Sequence, residues 1–381
     1  MTSRAVRGRQ LVALVVLGAA LWAGVAGYAA IVAGGGGDHQ TADWLISYPG
    51  EFLRRGLFGE VLLRLTPPGP ATLWILFAIQ VALYLPIVGY VLWFLERQSW
   101  SWSAIALACS PAGLAFIGWD VRGGFRKEVL GFVALVLLAM VRSSGNGMVK
   151  AAGLVLSIGV WTLGVFSWES IGFMLPAVLF LLLAGTPIPL GKVFAGLYTA
   201  IAAVAMGASV VFHGDTDTPA RLCAAVTDHG LPDSLCTGAI AWMGRGLTQS
   251  WQLVTQNFAV HSGYLAMVVL AALPIATTGW LRRSWPWVLA MAIGIAPLFA
   301  LGIDYGRWIH ILFFEIAICM MVASEELITS THWTAFSTVL YVGLWGIPHA
   351  APTAANVPGW PFRGLLATVI GWVQTALLAL G

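Results

Sequence analysis

Long apolar runs follow one another along almost the whole chain and leave only short polar segments between them. An α-helix rises about 1.5 Å per residue, so roughly 20 apolar residues cross the hydrocarbon core of a bilayer. Backbone in lipid must satisfy its own hydrogen bonds, which restricts such runs to helices. With 9% charged residues, the chain lies far below the roughly 25% typical of soluble proteins. The sequence therefore predicts an all-α protein, a polytopic transmembrane helical bundle.

The apolar runs predict about twelve membrane spans. Several runs are short, so two neighbours can instead form one broken or re-entrant pair, and the count is uncertain by about two. No internal repeat is visible, and residues 1–381 are predicted to form a single transmembrane domain. The predicted spans cover residues 10–33, 71–95, 103–119, 129–141, 151–166, 171–185, 193–212, 262–281, 285–303, 308–323, 333–348 and 364–380.

Three arginines, Arg4, Arg7 and Arg9, precede the first apolar run. A signal peptide begins in the same way, but this run is long and lacks a clear small-x-small cleavage site, so we interpret it as a retained signal-anchor helix. The positive-inside rule then keeps the N-terminus in the cytoplasm and places residues 34–70 and 213–261 outside. Lys and Arg divide almost equally, nine on the cytoplasmic side and ten outside, which leaves the opposite orientation open.

The first external segment, residues 34–70, contains a stretch that is too charged to cross a bilayer and too apolar to be a solvated linker. This stretch runs from Asp43 to Glu60, and Tyr48-Pro49-Gly50 predicts a turn within it. Apolar positions along Glu51–Leu65 then follow the pattern of an amphipathic helix. We predict an in-plane helix at the membrane surface after the first span. An ordinary interfacial helix whose arginines bind lipid phosphates is the alternative.

The second external segment, residues 213–261, contains two cysteines that flank a polar stretch. Cys223 and Cys236 are spaced to close a short ring, which predicts a disulfide in an oxidising compartment. Two unpaired thiols are the alternative. The residues from Ala239 to Phe258 are predicted to form a helix that either caps the bundle or acts as a lid. The neighbouring histidines lack the spacing of zinc ligands, so no metal site is predicted.

Polar strings at the ends of several predicted spans combine carboxylates, arginines and aromatic residues. They are Asp43–Glu60, Asp120–Glu128, Ser167–Ser170 and Asp304–Trp308. Ionisable residues in a membrane protein are costly, so their concentration on one predicted face indicates function. Arginine donates two parallel hydrogen bonds to a phosphate, and a carboxylate can act as a general base. The strings predict a site for a sugar on a lipid diphosphate, with local salt bridges and interfacial anchoring as the alternative.

Individual residues of the polar strings and of the first loop receive candidate roles. The candidate general bases are Asp43, Asp38, Glu169 and Asp304. The candidate phosphate ligands are Arg54, Arg55, Arg122, Arg126, Lys127 and Arg307. The candidate sugar-stacking residues are Trp44, Tyr48, Trp168, Tyr305 and Trp308. The chain has no Walker loop, dinucleotide fingerprint or serine-hydrolase elbow, so a soluble nucleotide is not supported as the direct donor.

This arrangement resembles the polytopic glycosyltransferases of the GT-C class and the related O-antigen or polysaccharide polymerases. An acidic loop and an in-plane helix after the first span carry the resemblance, together with many spans whose polar motifs share one face. The resemblance implies that lipid-linked sugars are used on the extracytoplasmic side. By position it assigns Asp43, or its rival Asp38, as the base, and Arg54 and Arg55 as phosphate ligands. The chain lacks the tight Asp-Asp or Asp-Glu doublet of those families.

The sequence thus predicts a glycosyltransferase or polysaccharide polymerase of the bacterial inner membrane, multi-pass, with its site facing the periplasm or exterior. It would transfer a sugar or oligosaccharide from a polyprenyl phosphate or diphosphate carrier to a saccharide acceptor, in contact with membrane lipids. A transporter or flippase of lipid-linked or anionic saccharides is the first alternative, and a noncatalytic scaffold subunit is the second. No cofactor or nucleic-acid partner is predicted. A requirement for a divalent metal and the oligomeric state are left open.

Overall fold

The computed structural model describes residues 3–185, 190–257, 263–350 and 364, and all regular structure in these ranges is helical. The α-helices are α1 Ser3–Ala33, α2 Leu57–Leu65, α3 Ala71–Arg97, α4 Trp102–Ala108, α5 Phe116–Trp119, α6 Val121–Gly124, α7 Glu128–Ser143, α8 Gly147–Ser167, α9 Leu175–Leu183, α10 Gly191–Val211, α11 Thr218–Asp228, α12 Leu247–Gln256, α13 Tyr264–Ala276, α14 Gly279–Leu301, α15 Tyr305–Met321, α16 Glu325–Ile328 and α17 Ala335–Leu344. Short 3₁₀ helices cover Ala42–Leu45, Glu169–Met174, Asp233–Thr237 and Ala241–Gly244. Apart from Gly364, the predicted span 364–380 lies outside the described residues.

Among the described residues, five helices are long and apolar enough to cross a membrane, namely Val6–Ala33 within α1, and α3, α8, α10 and α14. This helix composition is that of a multi-pass membrane protein, and the prediction of an all-α fold is confirmed. The prediction of about twelve spans is not supported, because only these five helices in the described part of the chain meet the length and hydropathy of a span.

Two physical features explain why apolar runs outnumber spanning helices. The first is interruption: the run 103–119 is divided around Pro111, which cannot donate a backbone hydrogen bond, and the run 171–185 starts as a 3₁₀ helix before α9. The second is burial. Helices α7 and α15 have 16 and 17 residues and are buried on nearly every side, so their apolar side chains face protein.

Helices α7 and α15 lie side by side in the core. Their Phe132 and Phe314 rings pack with centroids 4.2 Å apart, and His310 packs edge-on against Phe132. Aromatic pairs in tilted or edge-on arrangements contribute about 0.5–1.5 kcal/mol each beyond their buried area. Glu128 opens α7 and Arg307 lies in the first turn of α15. The packing of the two helices therefore brings two opposite charges to the same end of the core.

Helix α2 corresponds to the amphipathic helix predicted after the first span, but it begins at Leu57 rather than near Glu51. Its Phe58 and Leu62 are buried while Leu65 is 79% exposed, so the helix has one apolar face against the protein. The residues before it form a turn in which Arg55 has a φ of 69°, a left-handed conformation that does not continue a helix. Arg54 and Arg55 consequently project from a turn and not from a helix face.

The segment between α10 and α12 packs onto this turn. The Arg54 backbone N–H donates to the Phe212 carbonyl over 2.9 Å, and Arg221 of α11 pairs with Glu51 at 2.9 Å. A disulfide joins Cys223 to Cys236 across 13 positions of sequence. The disulfide-bonded segment and the arginine turn therefore lie on the same side of the molecule.

Replacing both Cys223 and Cys236 with serine should lower the local stability of the α11 segment by about 3 kcal/mol, the value expected for closure of a loop of this length. We expect faster hydrogen–deuterium exchange in α11 and faster proteolysis of residues 213–257. Reductant should produce the same change in the wild-type chain and no further change in the double variant. Equal exchange in all three samples would contradict a stabilising role for the disulfide.

Candidate active site

Four segments far apart in the sequence meet around the turn that precedes α2. They contribute nine charged side chains, which we call the ion-pair cluster: Asp43, Arg54, Arg55, Arg126, Lys127, Glu128, Glu169, Asp304 and Arg307. Helices α2, α7 and α15 all begin at this cluster. The positive ends of three helix dipoles therefore add to the field of the five cations.

Asp43 lies on the first 3₁₀ helix and is only 2% exposed. Its carboxylate faces two cations without a close hydrogen bond to either: Lys127 Nζ is 3.9 Å from Oδ1, and Arg126 Nε is 3.8 Å from Oδ2. Burial alone would raise the pKa of Asp43, but Lys127 and Arg126, helped by Arg307 and Arg55, together hold that pKa below its usual value. Asp43 is therefore a charged group that orders cations around it.

Arg55 and Glu169 form a two-pronged ion pair. Arg55 Nε lies 3.0 Å from both carboxylate oxygens, and Nη2 lies 2.7 Å from Oε1. Lys127 Nζ donates to the Arg55 backbone carbonyl over 2.9 Å. A left-handed residue other than glycine costs roughly 1–2 kcal/mol, and these contacts offset that cost. The Arg55 side chain is thus fully engaged and fixes the shape of the turn.

A second two-pronged pair joins the starts of α7 and α15. Arg307 donates to Glu128 through Nε and Nη2, each over 2.6 Å, and its Nη1 lies 3.2 Å from Asp304 Oδ2. The guanidinium also stacks near two indole rings, 4.6 Å from the centroid of Trp168 and 5.1 Å from that of Trp308. With 3% exposure for Arg307 and 2% for Glu128, both side chains of this pair are buried.

Three atoms of the cluster are buried and make no hydrogen bond among the described residues: Asp43 Oδ2, Arg54 Nε and Arg126 Nε. Buried donors in native structures are almost always satisfied, so two unused guanidinium donors point to a partner beyond the described residues. Burial lowers the pKa of Lys127 to about 8, and burial with the neighbouring Arg55 lowers the pKa of Arg54 to about 10. Five cations facing four carboxylates leave the cluster positively charged. An anion would satisfy both the donors and the charge.

Asp120 and His349 adjoin the cluster and were not among the candidate site residues. Asp120 Oδ1 accepts from the Gly123 N–H over 2.9 Å, and Oδ2 accepts from the His349 N–H over 2.7 Å and lies 2.6 Å from its Nδ1. No sequence signal marks His349, since it lies 229 positions from Asp120 in a short loop after α17.

Several predicted site residues lie outside the cluster. Asp38 is 41% exposed and pairs with His39 at 3.2 Å, and Arg122 is exposed with no ion pair in the described ranges. Trp44 is fully buried and donates to the Phe125 carbonyl. The Tyr305 hydroxyl donates to the Phe299 carbonyl over 2.7 Å. Tyr48 is half-buried, and its backbone N–H donates to Glu60.

The ion-pair cluster reaches solvent along one edge, where Arg54, Arg55 and Asp304 are each 22–27% exposed. An apolar cavity of about 320 Å³ lies elsewhere, between α13 and α17, and carries none of the cluster residues. In the part of the chain that the structure describes, no group of three or more His, Cys, Asp or Glu side chains is arranged to hold a metal ion.

No protein-family model, curated protein or solved structure matches the chain.

Proposed function

We propose that the chain is a membrane glycosyltransferase or polysaccharide polymerase that takes its sugar or oligosaccharide from a polyprenyl phosphate or diphosphate carrier. One observation carries the proposal: a positively charged, mostly buried cluster retains unused guanidinium donors on Arg54 and Arg126. A phosphate or diphosphate supplies acceptor oxygens and negative charge in the geometry that guanidinium donors favour. The saccharide acceptor and the surrounding lipids complete the set of proposed partners.

The cations of the cluster have two different proposed roles in the reaction. When an acceptor hydroxyl displaces the lipid carrier, negative charge develops on the departing phosphate. Arg54, Arg126 and Lys127 have no tight carboxylate partner, so they are proposed to stabilise that charge. Arg55 and Arg307 are fully engaged by Glu169 and Glu128, so they are proposed to hold the site in shape.

We assign the site to the extracytoplasmic face of the bacterial inner membrane. The support comes from the disulfide, because structural disulfides persist in oxidising compartments. The disulfide-bonded segment contacts the arginine turn through Phe212 and Arg221. The turn and the cluster would then share that compartment, where the resemblance noted in the sequence implies that lipid-linked saccharides are used.

A transporter of lipid-linked or anionic saccharides is the second candidate, and one observation favours it. Glu315 lies in the interior of α15 with both carboxyl oxygens buried and without a hydrogen-bond partner in the described ranges. Ionisable groups deep within a helical bundle often mark transport or proton pathways. Glu315 is, however, a single residue, whereas nine charged side chains converge at the ion-pair cluster.

The two candidates predict different products from the same reconstituted protein. We expect the purified full-length chain in lipid nanodiscs, given the lipid-linked saccharide fraction of the source cells and free saccharide acceptor, to release the polyprenyl carrier and form a glycosylated product. Mass spectrometry would identify both. In sealed proteoliposomes, movement of lipid-linked saccharide between leaflets without any new glycosidic bond would instead establish the transporter. If neither a glycosylated product nor movement of lipid-linked saccharide is detected, both candidate functions are overturned.

A further inference from the structure

The Asp120–His349 pair has the form of an oriented imidazole beside the ion-pair cluster. Asp120 is 9% exposed and accepts three hydrogen bonds, one from Gly123 and two from His349. Because one His349 bond comes from the backbone and the other from Nδ1, the ring and the chain that carries it are fixed together. A carboxylate at Nδ1 selects the tautomer with its proton there. Nε2 is left as a hydrogen-bond acceptor.

His349 is tied to the cluster from several sides. The Gly306 N–H, at the start of α15, donates to the His349 carbonyl over 3.1 Å. Tyr264 donates to the preceding carbonyl, that of Pro348, over 2.9 Å. The imidazole also interacts electrostatically with Asp304 and Arg126 of the cluster. Its side chain is 19% exposed, and within the described ranges Nε2 has no hydrogen-bond partner. A partly exposed imidazole with an uncommitted Nε2 therefore lies beside the cluster.

We propose that Nε2 of His349 accepts the proton of the acceptor hydroxyl during sugar transfer, with Asp120 as its positioning residue. The inference rests on the proposed function. In the step, the acceptor oxygen forms a bond to the anomeric carbon as the bond from that carbon to the carrier phosphate breaks. The bonding electron pair leaves with the phosphate, and the hydroxyl proton passes to Nε2. Asp120 stabilises the imidazolium, which then releases its proton to water.

The carboxylates of the cluster are weaker candidates for this role. In each case burial would raise the pKa, but neighbouring cations outweigh it, so the pKa values of Asp43, Glu169 and Asp304 all lie below their usual range. A base whose conjugate acid has such a low pKa takes up a proton poorly near neutral pH. Glu169 is moreover held on both oxygens by Arg55. An imidazole suits the task because the ordinary pKa of histidine lies close to neutrality.

The charges around His349 set the expected pH dependence. Burial and Arg126 lower the pKa of His349, while the hydrogen bond to Asp120 and the charges of Asp120 and Asp304 raise it, and the net pKa lies above the usual value. The Tyr264 hydroxyl faces the same two carboxylates, and His39 faces Asp304. Since the base must be neutral, the transfer rate falls as pH decreases through this raised pKa. We expect an acid limb with its midpoint above about pH 6.5.

The test uses the full-length protein in nanodiscs with the lipid-linked saccharide fraction described above. His349→Gln is expected to lower the turnover number by about 10²–10⁴-fold and to abolish the acid limb, while binding of the lipid-linked saccharide is retained. Asp120→Asn is expected to move the acid limb to lower pH, because it removes a charge that raises the pKa of His349. His332→Gln, at an exposed histidine far from the cluster, serves as the matched control and leaves the profile unchanged.

The possible failures are distinguishable. A wild-type chain without transfer activity would overturn the proposed function itself. An active wild type whose acid limb persists in His349→Gln would overturn only the role of His349. Folding of His349→Gln is judged by its melting temperature. If that variant does not fold, the pH profile of Asp120→Asn still tests the role of His349, because an unshifted acid limb contradicts the proposal.

Discussion

Replacing Arg126 with glutamine should slow saccharide transfer by about 10²–10³-fold, the loss typical when one donor to developing charge is removed. Arg126 is 8% exposed, carries an unused Nε donor and faces Asp43 at 3.8 Å. Glutamine keeps a polar, though shorter, side chain and removes the charge and the forked donors. The turnover number, measured with the reconstituted protein, is the quantity that should fall.

Arg122 provides the matched control for this substitution, since it lies four residues away on the same polar string. Its side chain is exposed and makes no ion pair within the described ranges. Arg122→Gln should therefore leave turnover unchanged while removing the same formal charge. If both variants lose activity equally, the effect comes from net charge at the surface, and the assignment of Arg126 as a phosphate ligand would be wrong.

Replacing Glu128 with alanine should strongly destabilise the fold. The substitution leaves the Arg307 guanidinium buried with only Asp304 as a carboxylate partner. Loss of one member of a buried ion pair costs about 3–5 kcal/mol, because the remaining charge is neither solvated nor fully paired. The free energy of unfolding can be measured by denaturant titration in mixed micelles.

Two further variants test the cause of this loss. Breaking the Glu60–Arg64 pair from its exposed side with Arg64→Ala should cost only about 0.3–0.5 kcal/mol. Combining Glu128→Leu with Arg307→Met should recover much of the stability lost in Glu128→Ala, since the unpaired charge is then absent. A double variant as unstable as the single one would mean that packing at the start of α7, and not the buried charge, is responsible.

The fold class followed from composition, whereas the number of spans did not. Apolar content indicates that a helix avoids water, but it does not distinguish burial in lipid from burial in protein. Helices α7 and α15 illustrate the difference, because they are apolar on nearly every side and yet too short for the span criterion. Proline interruptions such as that at Pro111 shorten other runs in a way that an apolar count does not register.

The polar strings could be recognised in the sequence, because charges between apolar runs are costly. The ion pairs that join residues of different strings could not be predicted. Arg55 pairs with Glu169 at a separation of 114 residues, and Arg307 pairs with Glu128 at a separation of 179. Such partners depend on how distant helices pack, which no local pattern contains. Asp304 was a candidate base, with a local salt bridge as the alternative, and it lies 3.2 Å from Arg307. His349 was not predicted as a site residue, because its partner Asp120 lies 229 positions away in the sequence.

The long separations within the ion-pair cluster also have a consequence for biogenesis. A chain made from its N-terminus presents Arg55, Asp120 and Glu128 well before Glu169, Arg307 and His349 are synthesised. Until their partners are synthesised, transfer of these charges into an apolar environment costs free energy. The emerging protein therefore has to keep its early loops in water, or shielded by an insertase or chaperone, until the second half of the bundle docks. Assembly of the site would then be among the last events of maturation, and a chain stopped before α15 would expose an unpaired carboxylate that quality control could recognise.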